Sequence, residues 1–468
     1  MKVKKICCIG AGYVGGPTMA VIALKCPDIK VTVVDLNKEK IKKWNGDLDH
    51  LPVYEPGLRS VVSQTRNKNL FFSDDVDKAI TESEMIFLAV NTPTKKEGKG
   101  AGMAADLTYI ENCAKNISKV AKESKIIIEK STLPVRTAER IKLILEKNND
   151  IEFDILSNPE FLAEGTAIQD LFKSDRVLIG GDSSKRGKTA VKKLKSIYER
   201  WIPKSKIITT NVWSSELVKL ASNAMLAQRI SSINSLSALC EKTEADIDEV
   251  SKAIGMDKRI GKYFLKPSVG FGGSCFQKDI LNLVYLCQFY GLNEVAEYWH
   301  QVVKMNNYQR SRFTIKIIND LNSSSNKRVS ILGWAFKKDT NDSRESSSIF
   351  ITKDLLDNGF KIDIYDPMVS RERILSDLTE LYQDKNQNSQ SISSILSNLQ
   401  IHENINESVK YSSGIVILTE WDEFIKFSWK EHYKKLDKKV FIYDGRNILK
   451  KHNLNSKNIY YKSLDRNG

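Results

Sequence analysis

The sequence predicts an α/β protein: two doubly wound parallel-sheet domains joined by a long central helix and a helical region. Three observations point there. Short β-branched runs alternate with longer amphipathic stretches in the first and last thirds of the chain. Each of those thirds opens with a strand that runs directly into a glycine turn. The middle holds a stretch, Trp213 to Thr243, with no glycine or proline and apolar residues at helical spacing over about eight turns. A length of 468 residues, 41% hydrophobic and 28% charged, supplies ample core and excludes a mostly disordered chain.

In chain order, KKICCIG, VTVVDL and MIFLAV read as the first strands, followed by KIIIEKST, FDILSNPEF and RVLIGGD. These define a first domain over residues 1–210. Residues 211–325 form a central helical region, interrupted by the glycine-rich GFGGS. Its long helix carries a wide apolar stripe and is expected to pack on more than one neighbour, a second subunit included. LNSSSNKRVS reads as a linker. RVSILGWAF, KIDIYDP, GIVILTEWD and KVFIYDGRN then predict a closing α/β domain over 326–468. The polar stretch within 383–399, in YQDKNQNSQSISSILSN, is expected to be a surface loop or a poorly ordered insertion.

Composition narrows the function. No apolar run reaches the roughly 18–20 residues of a membrane span, and MKVKKICCIGAGYVGG is expected to be strand and turn rather than a leader. Seven scattered cysteines without a CxxC pair fit a reducing, cytoplasmic setting better than disulfides or zinc. The five histidines form no ligand pattern, so no metal is expected. Lys+Arg at 72 against Asp+Glu at 58 gives +14. The basic residues are interspersed with acidic ones, which argues against nucleic acid and suits a phosphorylated small molecule.

Gly10-Ala11-Gly12-Tyr13-Val14-Gly15 lies between a strand and a helical run, so its backbone can approach a pyrophosphate at the helix start. Asp35 ends the next strand, where a carboxylate accepts hydrogen bonds from a ribose diol. Leu36 and Asn37 supply no arginine for a 2′-phosphate, so the cofactor read is NAD. Val90-Asn91-Thr92-Pro93-Thr94 and Ser131-Thr132 follow further strands, on the edge where such sheets bind ligands.

Cys275 sits in GFGGSCFQKD, a glycine-rich loop feeding a helix, where the local positive potential favours a thiolate; Lys278 would add to it. Asp279 lies four residues on, hence on the same face. Lys219 and Asn223, also four apart, can present a cation and an amide to one oxygen. Asn158-Pro159-Glu160-Phe161-Leu162-Ala163-Glu164-Gly165 places two carboxylates at a strand end.

Taken together, GAGYVGGPT, VVDLN, YEPGL, VNTPT, STLPVR, LSNPEFLAEGTAI, GFGGSCFQKDILNLVYLC, AFKKDTNDSRESSSI and IYDGRN resemble the UDP-glucose/GDP-mannose dehydrogenase family, in its animal-type branch that oxidises UDP-glucose. The resemblance implies two Rossmann-like domains and a four-electron oxidation of UDP-glucose to UDP-glucuronate with two NAD⁺. Cys275 would form a thiohemiacetal and then a thioester. Lys219, Asn223 and Asp279 would surround the reacting oxygen and water, with Thr132 and Glu160 assisting. The first-step base stays open between Lys219, Asp279 and water.

The resemblance further implies that Glu160, Phe161, Leu162, Ala163, Glu164, Lys219, Asn223, Arg259, Lys266, Phe271, Gly272, Phe336 and Lys337 hold the sugar nucleotide. Arg446 would reach it from an adjacent subunit of a dimer-based homo-oligomer, commonly a hexamer. Cofactor contacts carried over are Gly10, Gly12, Val14, Gly15, Asp35, Lys40, Val90 to Thr94, Ser131, Thr132, Glu164, Lys278 and Arg344. Lys40 stands where an arginine near the ribose is usual. A sister enzyme acting on GDP-mannose or a UDP-N-acetyl sugar, and a non-catalytic NAD-binding scaffold, are the competing readings.

Overall fold

The computed structural model describes residues 2–147, 151–322, 324, 326–383, 388–436 and 439–465. The chain divides into two compact units, one of Met1–Ser222 with Leu281–Gly291, the other of Asn223–Ile280 with Leu292–Gly468. Each contains one sheet.

The first sheet has eight strands: β1 Lys5–Ile9, β2 Lys30–Val34, β3 Leu70–Ser73, β4 Met85–Leu88, β5 Lys125–Glu129, β6 Phe153–Ser157, β7 Val177–Gly180 and β8 Ile207–Thr210. Their order is β3-β2-β1-β4-β5-β6-β7-β8. All pairings are parallel except β6 with β7, which meet antiparallel at Ser157 and Gly180. Strands β1, β4 and β5 are buried almost throughout, as expected when helices cover both faces. β3 and β8 were not among the strands expected from the sequence.

Packing under the first turn fixes the glycine loop. Trp44 is fully buried, stacks on Phe72 at 4.6 Å, and donates its indole N–H to the Ala11 carbonyl at 3.0 Å. A Cβ on Gly16 would lie 2.3 Å from the Trp44 ring, so only glycine admits this contact. Truncating Trp44 to alanine would cost about 3–5 kcal/mol.

The second sheet has six strands: β9 Arg328–Leu332, β10 Lys361–Tyr365, β11 Leu399–Ile401, β12 Gly414–Ile417, β13 Val440–Asp444 and β14 Ile459–Ser463. Its order, β11-β10-β9-β12-β13-β14, repeats that of the first six strands of the other sheet, and every pairing is parallel. Both sheets thus have the doubly wound order 3-2-1-4-5-6, with ligand edges where the order reverses.

The long helix is Val212–Thr243, within one residue of its expected start. Between it and β9 come helices Ile247–Met256, Phe276–Phe289 and Asn293–Leu321. The polar stretch is not the loop expected: Ser389–Leu396 is a helix. Asn388 caps it by accepting the N–H of Ser391, Ile392 is buried, and Ile395 and Leu396 pack on the second core, so helical spacing of three apolar residues outweighs the polar composition. Residues 384–387 lie outside the described ones.

Candidate active site

The dinucleotide loop joins β1 to helix Gly15–Lys25. Gly10 has φ +111°, and a Cβ there would sit 2.3 Å from the Ala89 carbonyl oxygen; on Gly15 it would sit 2.0 Å from the Gly10 oxygen. These two glycines serve the packing of loop against strand. Gly12 differs, because a Cβ there would meet nothing within 4 Å. The open face at Gly12 and a helix start that no side chain caps fit a pyrophosphate.

Asp35 follows β2. Its carboxylate accepts the N–H of Ala11 at 3.0 Å and of Asn37 at 2.9 Å, and Lys40 donates to it at 2.9 Å. Burial alone would raise its pKa, but the Asn37 and Ala11 N–H groups and then Lys40 hold it below the usual carboxylate range. An ionised acceptor therefore stands ready for a ribose diol, and Lys40 reaches the ribose position only through this carboxylate.

The ends of β4 and β5 are tied together. Ser131 donates to the Val90 carbonyl at 2.6 Å, and Thr92 donates to the Thr132 carbonyl at 3.1 Å. Thr132 is buried. The structure thereby brings Gly10, Gly12, Gly15, Asp35, Val90, Thr92, Ser131 and Thr132 to the carboxyl ends of the central strands of one sheet.

In the same unit, Lys219 and Glu160 form a buried ion pair at 3.6 Å, and the Lys219 ammonium lies 5.5 Å from the Phe161 ring centre. The second Glu160 oxygen, Oε2, has no hydrogen-bond partner among the described residues. Arg176 stacks on Phe161 at 3.8 Å. Lys130 is missing from the expected set. It is buried, hydrogen-bonds to Asn158 Oδ1 at 3.4 Å, and its pKa is brought down to about 8 by burial, with Glu160 opposing the shift and Lys219 reinforcing it. The Tyr198 hydroxyl donates to the same Asn158 oxygen at 2.7 Å. The Glu55 carboxylate accepts the N–H of Gly165 at 2.9 Å and of Ala167 at 3.2 Å, holding the segment that carries Leu162, Ala163 and Glu164.

The other unit holds Cys275. It immediately precedes helix Phe276–Phe289, and its carbonyl accepts the Asp279 N–H at 2.8 Å, the first bond of that helix. Asp279 is 2% exposed; Asn223 donates to it at 2.6 Å, and Lys278 lies 3.6 Å from its other oxygen. Lys278 thus shares its charge with Asp279 instead of serving only a thiolate.

The glycine loop before Cys275 is braced by the segment after β9. Gly273, at φ +86°, donates its N–H to the Arg344 carbonyl at 2.8 Å, and a Cβ on Gly272 would clash with Glu345 and Phe336. Phe271 is clamped from helix Asn293–Leu321. Asn306 Oδ1 accepts its N–H at 2.8 Å, and Arg310 donates to its carbonyl at 2.7 Å. Burial brings the Arg310 pKa down to about 10, opposed by Glu345.

The cations expected at the substrate and the cofactor differ among themselves. Arg259 is exposed and forks onto Asp257; Lys266 is exposed; Lys337 is half-buried, 5.7 Å from the Phe336 ring centre. Arg344 pairs with Asp342 at 2.9 Å, and Arg446 pairs with Glu420. Among the described residues no histidine, cysteine and carboxylate cluster could hold a metal.

Three family models tile the chain: the NAD binding domain of the UDP-glucose/GDP-mannose dehydrogenase family over residues 4–202, its central domain over 213–308 and its UDP binding domain over 330–451. The chain belongs to this family. It is 56% identical over 448 residues to the UDP-glucose 6-dehydrogenase of Drosophila melanogaster, covering 95% of this chain and 93% of that one. It is 55% identical over 450 residues to UDP-glucose 6-dehydrogenase 2 of Arabidopsis thaliana, covering 95% and 93%. A solved UDP-glucose dehydrogenase from Pyrobaculum islandicum is 26% identical, with a TM-score of 0.81 over 99% of this chain and 98% of that one. Family membership bears out the recognition, the paired α/β sheets and the NAD-binding character expected from the residues. The fly and plant relatives stand equally near, so the likeness extends well outside animals.

Proposed function

We propose that the chain oxidises UDP-glucose to UDP-glucuronate at the expense of two NAD⁺. The observation that carries this is Cys275 at the head of its helix, one turn from a buried Asp279 that Asn223 holds by a hydrogen bond. The relatives at 55–56% identity bear the name of that reaction.

Gly10 to Gly15 and Asp35 would hold NAD⁺, which accepts a hydride in each oxidation. Lys219, paired with Glu160, would donate to the sugar 6-oxygen and stabilise negative charge there as the hydroxyl proton passes to water and the hydride to NAD⁺. An aldehyde has no hydroxyl carbon from which a second hydride can leave. Attack by the Cys275 sulfur creates one: a carbon–sulfur bond forms and the oxygen takes a proton. Loss of hydride to the second NAD⁺, with the hydroxyl proton passing to water, leaves a thioester. Water then adds, the carbon–sulfur bond breaks, and the thiolate and the carboxylic acid's proton are released. Asp279 would take the proton from water, and the open Glu160 oxygen would accept a hydroxyl hydrogen bond.

Lys266, Lys337 and Arg446 would meet the diphosphate. We further propose the three-part division 1–210, 211–325 and 326–468, cytoplasmic residence and a dimer-based homo-oligomer. The exposed Met225, Leu236, Leu239, Tyr298, Tyr308 and Ile315 on two long helices supply apolar surface for a second copy. No helix among the described residues is long and apolar enough to cross a membrane.

An NADH-production assay with UDP-glucose, UDP-N-acetyl sugars and GDP-mannose tests the reading. Two NADH per UDP-glucose are expected. Preference for another sugar nucleotide overturns the substrate; absence of turnover with all of them overturns the enzyme.

A further inference from the structure

A buried pair of acids lies in the first unit, outside the expected set. Glu129 is the last residue of β5 and is 1% exposed; Glu216, on helix Val212–Thr243, is 3% exposed. Each Glu216 oxygen accepts a backbone N–H at 2.8 Å, Oε2 from Arg136 and Oε1 from Ala138. These amides open helix Thr137–Glu146, and Arg136 is left-handed at φ +80°. The Glu129 carboxyl has that of Glu216 beside it, and neither Glu129 oxygen meets a donor among the described residues.

The cations nearest in sequence are engaged elsewhere. Lys130 faces Asn158 and Glu160, Lys219 pairs with Glu160, and Arg136 turns to Glu139 and the Trp213 ring. Glu216 is the charged group that acts on the Glu129 carboxyl. Two carboxylates in contact without a cation cannot both be ionised.

We propose that Glu129 and Glu216 are positioning residues that share one proton, and that this proton latches the Ser131–Arg136 loop, which carries Thr132, to the helix that carries Lys219. The loop is held at both ends by one carboxylate: Glu129 precedes it by two residues, and Glu216 accepts the amides where it ends. Lys219 lies one turn along from Glu216, so the same latch registers Thr132 against Lys219. Burial first, then the Glu216 charge, keeps Glu129 protonated well above the usual carboxylate range. Burial lifts Glu216 to about 6, against the pull of the Ala138 and Arg136 amides. Above pH 6 Glu129 therefore donates and Glu216 accepts. A second proton at lower pH weakens the grip on the amides, and loss of the first at high pH sets two charges against each other.

The proposal rests on the roles given to Thr132 and Lys219 above, and its test separates the two. In the full-length wild-type protein at pH 7.5, infrared difference spectroscopy against Glu129→Gln should show one neutral carboxylic acid band. Its absence overturns the shared proton whatever the variants do. Glu129→Gln keeps a donor toward Glu216 and should retain at least half of kcat with UDP-glucose. Glu129→Met removes the donor at similar volume and should lower kcat tenfold or more, with KM for UDP-glucose within threefold. A folded Glu129→Met with wild-type kcat, or a folded Glu129→Gln as impaired as Glu129→Met, overturns the positioning role. Should Glu129→Met fail to fold, the band and the Glu129→Gln rescue decide. A wild-type protein that shows the band but does not oxidise UDP-glucose refutes the catalytic reading and leaves the acid pair standing.

Discussion

The two sheets share one strand order and diverge at the edge where that order reverses. In each, a left-handed glycine follows the first strand and touches the chain leaving the fourth: Gly10 against Ala89, and Gly333, at φ +96°, against Thr419. In each, an aspartate follows the second strand and accepts an N–H from the glycine loop. Asp35 accepts two backbone amides and Lys40, and keeps part of its surface exposed. Asp366 accepts five donors, the amides of Trp334, Ala335, Met368 and Val369 and the Trp421 indole, and is buried. The helix after β1 begins at Gly15; that after β9 waits until Ser347. The same topology thus leaves a carboxylate and a helix start open to a dinucleotide in one unit. In the other it uses the carboxylate to hold the chain, and the longer connection braces the Cys275 loop. What a doubly wound sheet binds depends on what its edge donors already hold, not on strand order.

The largest expected effect separates coenzyme edge from nucleophile. Cys275→Ala should lower UDP-glucuronate formation about a thousandfold or more, while NAD affinity, titrated by fluorescence, stays within threefold. Production of the acid at the wild-type rate would reject covalent catalysis.

Next come the two left-handed glycines. Gly10→Ala and Gly333→Ala should each cost about 2–4 kcal/mol in chemical denaturation, because both force a Cβ into neighbouring atoms at a strained φ. A neutral result at either position breaks the likeness between the edges.

The aspartates should then part company. Asp366→Asn is expected to cost about 1–3 kcal/mol of stability, since an amide nitrogen would meet backbone donors, with NAD affinity unchanged. Asp35→Asn should weaken NAD about tenfold, or about 1.4 kcal/mol, with the smaller loss of stability. Reversed outcomes would mean that the wrong carboxylate has been matched to the coenzyme.

The smallest effect is electrostatic. Asp35 is held below its ordinary pKa in the fold, so its ionised form contributes stability at neutral pH. That contribution is lost as pH falls through about 3.9 and below. Lys40→Met should therefore cost under about 1 kcal/mol at pH 7, and the difference should shrink as pH falls below the ordinary carboxylate range. A deficit that persists in acid would assign Lys40 a packing role.

Much of this was legible because local chemistry agreed with tertiary need. A strand, glycines at three spacings and an acid after the next strand specify the β1 edge; an uninterrupted apolar period specifies the long helix; a glycine run into a cysteine specifies the second loop. The rest depended on partners distant in sequence. Glu129 and Lys130 close an apolar run and read as a solvated strand end, whereas Glu216 and the Asn158–Glu160 segment enclose them. Asn306 and Arg310 read as the polar face of a helix until Phe271, 35 and 39 residues earlier, is seen against them. Asp366 looks as available as Asp35, because the sequence does not reveal which backbone amides will turn towards it. The helix at Ser389–Leu396 was hidden by serines and asparagines that outnumber its three packed isoleucine and leucine side chains.

The contrast within the glycine fingerprint has a consequence for how such chains drift over time. Two of its glycines are demanded by the polypeptide itself and would survive the loss of every ligand. Gly12, touching nothing, is retained only while something from outside must come close. A lineage that abandoned the coenzyme would erode the motif from its centre outward, leaving a fold still intact around a signature with its middle letter changed.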